Sequence, residues 1–296
     1  MSKKQYDILV IGPISIDYNI DFENYEYSEV GGAIVQSGYA AARIGHPTAL
    51  FTKLNILDAD VCKVFYQSGA DVFWKESKYT TSIRNKYFTA DKETRECRAI
   101  SICDPFTIDE LPDIDTKIYH LAGLIYGDFT SEMIRLLSER GKKVAVDVQC
   151  LLRHAEEDGR MVFYDWDDKK THLSYIDFLK TDAIEAEILT GQKDRIEAAK
   201  MLYNWGAREI MITHNTEVLV YDGKEIYTCP IKARNLSGRT GRGDTCFSGY
   251  IAERLKMNIP DALQYATALV SLKMEKQGPF RGERSDVFEY IRCFYP

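Results

Sequence analysis

Between residues 117 and 276, short apolar runs alternate with helical runs, and this alternation restricts the chain more than any other feature. The runs at 118–122, 143–148, 175–180, 210–213 and 218–221 have the length and the apolar content of buried strands. Residues 130–140, 183–189 and 195–205 carry helical spacing, and further helices are expected from near Gly243 or Asp244 and over 260–276, where Gln277-Gly278-Pro279 ends the run. The N-terminal part follows the same rhythm. A strand over 7–12 ends at Gly12, an alanine-rich helix over 33–44 closes at Gly45-His46-Pro47, and a strand at 48–54 precedes a helix at 58–68. Such spacing predicts an α/β fold with a mostly parallel central sheet and helices on both faces. With 296 residues and no long linker or repeat, we expect one domain over 1–296. A chain of this length buries roughly three quarters of its unfolded surface.

One region departs from this rhythm. Residues 82–88 and 98–103 read as a hairpin joined by the charged turn Asp91-Lys92-Glu93-Thr94. Two strands bury little alone. The hairpin is therefore expected to join residues 14–30 in a small sheet, a lid over the main domain formed by about 14–30 and 80–104.

The net charge of −7 argues against a nucleic acid or an anionic membrane as partner, since both select a basic face. No apolar run has the length of a membrane span, and Met1-Ser2-Lys3-Lys4-Gln5-Tyr6 lacks the apolar core of a signal peptide, so a cytoplasmic location is expected. The seven cysteines form no C-x-x-C pair, and the five histidines show no ligand spacing; reduced thiols are expected rather than a disulfide framework or a zinc site.

The chemistry concentrates at residues 235–250. Gly238, Gly241 and Gly243 precede a run in which Phe247, Tyr250, Ile251 and Leu255 recur at helical spacing. A glycine turn feeding a helix N-terminus collects unpaired amides and the positive end of the dipole, a site for phosphate. Gly238 to Thr245 is one residue from a P-loop, but Asp244 stands where the phosphate-binding lysine belongs. A dinucleotide fingerprint would need glycine at Cys246. A plain glycine loop with Asp244 as a helix cap is the alternative. Upstream, Asp17 lies just beyond the first strand, at the sheet edge where α/β proteins bind ligands, and Gly31-Gly32 opens the alanine-rich helix.

Taken together, Gly241-Arg242-Gly243-Asp244 near the end and Gly31-Gly32 near the start resemble the PfkB (ribokinase-like) carbohydrate kinases, over nearly the whole chain. The family signature D-T-x-G-A-G-D stands here as Gly238-Arg239-Thr240-Gly241-Arg242-Gly243-Asp244, with Gly238 for the first Asp and Arg242 for Ala. Gln36 occupies the place of a common Asn, Asp182-Ala183-Ile184-Glu185 that of N-x-x-E, and Thr213-His214-Asn215 the nucleotide strand and turn. The resemblance implies a ribokinase-like fold and an ATP-dependent kinase. Asp244 would be the general base, with the amides of Gly241, Arg242 and Gly243 holding charge on the transferred phosphoryl group. Arg239 and Arg242 would clamp phosphate, Asp182, Thr213 and Asn215 would line the donor side, and Glu185 would hold Mg²⁺ through water.

On the acceptor side, Asp17, Gly31, Gly32 and Gln36 would meet the hydroxyls of a small sugar or polyol. Gln149 and Arg153, after the strand ending at Asp147, form the next candidates, with helix capping as their alternative. Asp147-Val148-Gln149 and residues 98–105 look similar to segments of myo-inositol kinases, which favours a cyclic polyol. Ribose, fructose, a ketogluconate or a nucleoside stay open as acceptors, as do a non-catalytic sugar- or nucleotide-binding regulator and a dehydrogenase. So do a requirement for a monovalent cation and a homodimer paired through the lid.

Overall fold

The computed structural model describes residues 3–89 and 94–296. Strand β1 (Gln5–Ile11) leads into β2 (Ser15–Ile20), β3 (Glu26–Gly31), helix α1 (Ala33–Arg43) and β4 (Thr48–Leu54). Then follow β5 (Asp71–Glu76), β6 (Thr81–Tyr87), β7 (Arg95–Ser101), β8 (Asp115–Leu121), α2 (Ser131–Ser138) and β9 (Lys143–Asp147). Next come α3 (Gln149–Leu152), β10 (Arg153–Ala155), β11 (Met161–Phe163), α4 (Lys169–His172), β12 (Phe178–Asp182), α5 (Ala183–Thr190) and α6 (Arg195–Asn204). The chain ends with β13 (Glu209–Thr213), β14 (Glu217–Tyr221), β15 (Ile226–Pro230), α7 (Arg242–Glu253), α8 (Ile259–Met274) and α9 (Arg284–Phe294).

Among the described residues the main sheet has nine strands in the order β15-β14-β13-β12-β9-β8-β1-β4-β5. Its pairings are parallel from β5 to β13 and antiparallel from β13 to β15. Successive side chains of a strand point to opposite faces, so each buried strand feeds two cores. Ile8, Val10, Leu50 and Ile118 pack with Ile34, Tyr39, Phe247 and Leu269, residues of α1, α7 and α8. Leu9, Ile11, Phe51 and Leu121 pack on the other face with Ile134, Leu137, Ala186 and Leu202, from α2, α5 and α6. Each such aliphatic or phenyl side chain contributes about 1.5–3 kcal/mol when fully buried. The expected mostly parallel sheet covered on both faces is what this packing produces.

The small sheet is also present, ordered β3-β2-β6-β7. β2 pairs antiparallel with β3 and parallel with β6, and β6 pairs antiparallel with β7. Of the expected hairpin turn, residues 91–93 lie outside the described residues. The hairpin β10–β11 reaches this sheet, for Ala99 N–H donates to Gly159 O at 2.7 Å.

Several elements differ from expectation. The helix at 58–68 is a 3₁₀ run over Ile56–Gln67, started by Asn55, whose side chain accepts from Leu57 N–H at 2.9 Å. The strand expected at 175–180 is β12, shifted to Phe178–Asp182, which places Lys180 inside it. Helix α7 starts at Arg242, ahead of the expected Gly243 or Asp244, because Gly241 at φ +76° supplies the left-handed turn. Strands β5 and β15, the hairpin β10–β11 and helix α9 were not expected from the sequence. β5 and β15 lie at the two edges of the sheet, and their partly exposed residues carry no clean buried pattern.

Candidate active site

The carboxyl ends of the parallel strands converge on one region. β1 gives way to Gly12, where a β-carbon would fall 2.1 Å from Ala122 O, so only glycine lets the chains leaving β1 and β8 pass. β9 ends at Asp147 and β12 at Asp182. Neighbouring β13 ends at Thr213, paired with Asp182. Helix α7 points its N-terminus into this edge.

Asp244 lies in the first turn of α7, partly buried. Burial pushes its pKa up to about 6; the nearby Asp147 carboxylate adds to the rise, and Lys180 and Lys273 oppose it. Of the three amides expected to face a phosphoryl group, that of Arg242 turns back to Arg239 O at 3.3 Å. Among the described residues no backbone carbonyl takes the Gly241 or Gly243 amide in this way, and the first-turn position leaves Gly243 without an intrahelical acceptor. Of the expected trio, the middle amide is thus taken up by the turn that starts the helix.

Lys180 reaches the same edge from β12. Its ammonium lies 3.0 Å from Asp147 Oδ2, 3.1 Å from Asp147 Oδ1 and 3.7 Å from Glu185 Oε2. A β-carbon on Gly243 would come within 3.4 Å of the same nitrogen, so the cation borders the α7 N-terminus directly. Burial would lower the Lys180 pKa, but Asp147, Glu185, Asp244 and Asp182 outweigh it and raise the value. The lysine is charged.

Asp182 and Glu185 form a capping box on α5. Glu185 N–H donates to Asp182 Oδ1 at 2.8 Å, and Asp182 N–H donates to Glu185 Oε2 at 2.7 Å. Burial pushes Glu185 up to about 8 against the pull of Lys180. No three carboxylate, histidine or cysteine side chains among the described residues converge as a metal chelate. Asp182 and Glu185 are oxygen donors of the kind that meet a hydrated Mg²⁺ through its waters.

On the donor side, Arg242 donates to Asn215 Oδ1. Burial lowers the Arg242 pKa, and the neighbouring Arg239 cation lowers it further. The two guanidinium groups add positive charge to the end of the helix where the dipole already favours an anion. Thr213 instead turns its hydroxyl inward, to Thr181 O at 3.4 Å, and is buried.

The acceptor candidates gather around β2. Asp17 accepts from Ser15 Oγ at 2.7 Å, and a β-carbon on Gly31 would fall 2.5 Å from Asp17 Oδ2. Gly31 thus leaves the carboxylate room, and Gly32, at φ +104°, opens α1. Burial pushes Asp17 up to about 6; Glu29 adds to the rise, while Ser15, Arg95 and Arg153 lower it. Arg153 is buried and donates through Nε to Leu124 O at 2.7 Å. Gln36 sits against the glycine loop, for a β-carbon on Gly241 would fall 2.3 Å from its Cγ and 2.7 Å from its Oε1. Gln149 donates its backbone amide to Asp147 Oδ1 at 3.2 Å.

Sequence reasoning missed Lys180, Lys273 and a polar ladder across the small sheet. In that ladder Asn85 Nδ2 donates to Asn19 Oδ1 at 3.1 Å, and Asn19 Nδ2 to Glu29 Oε1 at 3.0 Å. Lys180 did leave a signal, a charge at the centre of the buried strand Phe178-Leu179-Lys180-Thr181-Asp182. No helix among the described residues is long and apolar enough to cross a membrane.

The chain is similar to known proteins over most of its length. The model of the pfkB family carbohydrate kinases matches residues 114–284. A cytidine kinase of Thermococcus kodakarensis is 26% identical over 260 residues, covering 83% of this chain and 87% of that protein. A sulfate complex of a pyrophosphate-dependent kinase of the ribokinase family superposes with a TM-score of 0.88 at 34% identity, over 95% of this chain and 99% of that one. A pyrophosphate-dependent kinase of the same family, complexed with a pyrophosphate analog and myo-inositol, gives 0.87 at 33% identity over the same shares.

Proposed function

Because this chain belongs to the pfkB family of carbohydrate kinases, we propose that it phosphorylates a hydroxyl of a myo-inositol-like cyclic polyol with inorganic pyrophosphate as donor. The observation that carries the reading is Asp244 in the first turn of α7, next to the Gly241 and Gly243 amides and near the Lys180 ammonium. The acceptor oxygen attacks phosphorus, its proton passes to Asp244, the bridging P–O bond breaks, and orthophosphate leaves. The Gly241 and Gly243 amides and Lys180 take up the charge that builds on the transferred group. Asp17 accepts from acceptor hydroxyls, and Arg153, acting on Asp17 and Glu185 alike, borders both halves of the site. Mg²⁺, met through water by Asp182 and Glu185, would neutralise donor charge when bound.

The resemblance of motifs alone implied ATP. Two findings support pyrophosphate instead. The similar kinases at 33% and 34% identity are described as pyrophosphate-dependent, and Arg239, Arg242 and Lys180 give a compact anion its countercharges. A nucleoside acceptor is the second reading, favoured by the similarity to a cytidine kinase. The test is a matrix of donors, pyrophosphate and ATP, against myo-inositol, other polyols, ribose and cytidine. The reading expects product only where pyrophosphate meets a polyol; product from ATP and cytidine overturns it.

A further inference from the structure

Lys273, near the C-terminal end of α8, is 3% exposed, and its ammonium donates to Gly238 O at 2.7 Å and also to Thr240 O. Backbone carbonyls turned on one cation are how proteins hold a monovalent ion stripped of its water. Here the cation is tethered to the protein. The two carbonyls belong to the turn that delivers Gly241 and Gly243, so whatever neutralises them also fixes the direction of those amides.

The surrounding sequence is adjusted to this arrangement. Gly238 stands where the pattern D-T-x-G-A-G-D carries a carboxylate. A β-carbon at that position would fall 1.7 Å from Lys276 O and 3.0 Å from Lys273 O, so no acidic side chain fits beside the carbonyls. Gly238 N–H instead donates to Met274 O at 2.7 Å, which draws the turn onto the end of α8. One negative group is absent and one positive group is built in. Burial lowers the Lys273 pKa to about 8, with the Asp244 and Glu29 carboxylates opposing the fall, so the ammonium also lies within electrostatic reach of Asp244.

We propose that Lys273 is a built-in monovalent cation, a positioning residue that orders the 238–243 turn and frees the enzyme from any need for potassium or ammonium. The proposal rests on the kinase reading for its effect on turnover, but its effect on the turn stands apart from that reading.

The test follows amide hydrogen exchange over residues 238–245, without substrate, and turnover with pyrophosphate and myo-inositol, both in tetramethylammonium buffer with and without potassium chloride. Wild-type protein is expected to show the same exchange and the same turnover in both buffers. Lys273→Met is expected to exchange about tenfold faster in the turn and to turn over roughly ten- to a hundredfold more slowly, less than the roughly 10²–10³-fold that outright loss of an oxyanion donor costs. Potassium or methylammonium should restore part of both. Activation of the wild type by potassium of tenfold or more overturns the proposal, and this arm needs no variant to fold. An Lys273→Met protein with wild-type exchange, or with losses that no cation repairs, overturns it too. Absence of turnover with every donor would sink the kinase reading while the exchange result still decides the role of Lys273.

Discussion

The ammonium of Lys180 contacts both carboxylate oxygens of Asp147, at 3.1 and 3.0 Å, across two neighbouring parallel strands. Both residues are buried, and the pair lies beside the N-terminus of α7. Removing one partner of a buried pair leaves an uncompensated charge and costs about 3–5 kcal/mol. Lys180→Met should therefore lower stability by that order and abolish turnover. The double variant Lys180→Met/Asp147→Leu should regain part of the stability and none of the turnover, measured by urea unfolding and phosphate release. Recovery of turnover in the double variant would remove Lys180 from the anion site.

Asp244 gives a prediction with a sign. Its carboxyl group is raised from 3.8 to about 6, chiefly by burial, with Asp147, Lys180 and Lys273 facing it. Between those values the folded state holds more protons than the unfolded state, so stability is lost as pH rises through the window. Asp244→Asn lacks that loss. Its melting temperature should gain on wild type from pH 4 to pH 6 and hold the gain above. Turnover should fall by about 10²–10⁴ at every pH. A variant that melts well below wild type at neutral pH would make Asp244 a structural cap.

Arg242, tied to Asn215 and repelled by Arg239, is assigned to the donor. Hydrogen bonds to charged groups are worth roughly 1.5–3 kcal/mol. Arg242→Ala should raise KM for pyrophosphate about ten- to a hundredfold and leave KM for the polyol within about twofold. An equal rise in both constants would place Arg242 in loop order rather than in donor contact.

On the proposed reading, Asp17 sets the acid limit of acceptor binding. It accepts hydroxyl hydrogen bonds best when ionised, and burial holds it up to about 6, with Ser15, Glu29, Arg95 and Arg153 facing it. Polyol affinity, measured by calorimetry without donor, should weaken as pH falls through 6. Asp17→Asn should flatten that dependence at a lower affinity. An unchanged pH profile in the variant would assign the titration to another group.

Much of this site was legible because strand ends announce themselves. Gly12, Asp17, Gly31-Gly32 and Asp244 each follow an apolar run or open a helix, where local chemistry shows in the order of residues. Lys180 and Lys273 were not legible in the same way. Each is a charge inside a buried element, and its partners, Asp147 on β9 or the carbonyls of Gly238 and Thr240, come from distant parts of the chain. The amide of Arg242 is a similar case, since only the turn geometry shows that Arg239 O takes it. The hairpin β10–β11 escaped because three-residue strands carry no period to read.

Phosphorus NMR of the protein with Mg²⁺, pyrophosphate and myo-inositol tests the account most directly. The pyrophosphate signal should decay into equal amounts of orthophosphate and one phosphomonoester, and Asp244→Asn should leave the spectrum unchanged over the same time. Pyrophosphate that stays intact beside the polyol, or a phosphomonoester that Asp244→Asn forms at the wild-type rate, would contradict it.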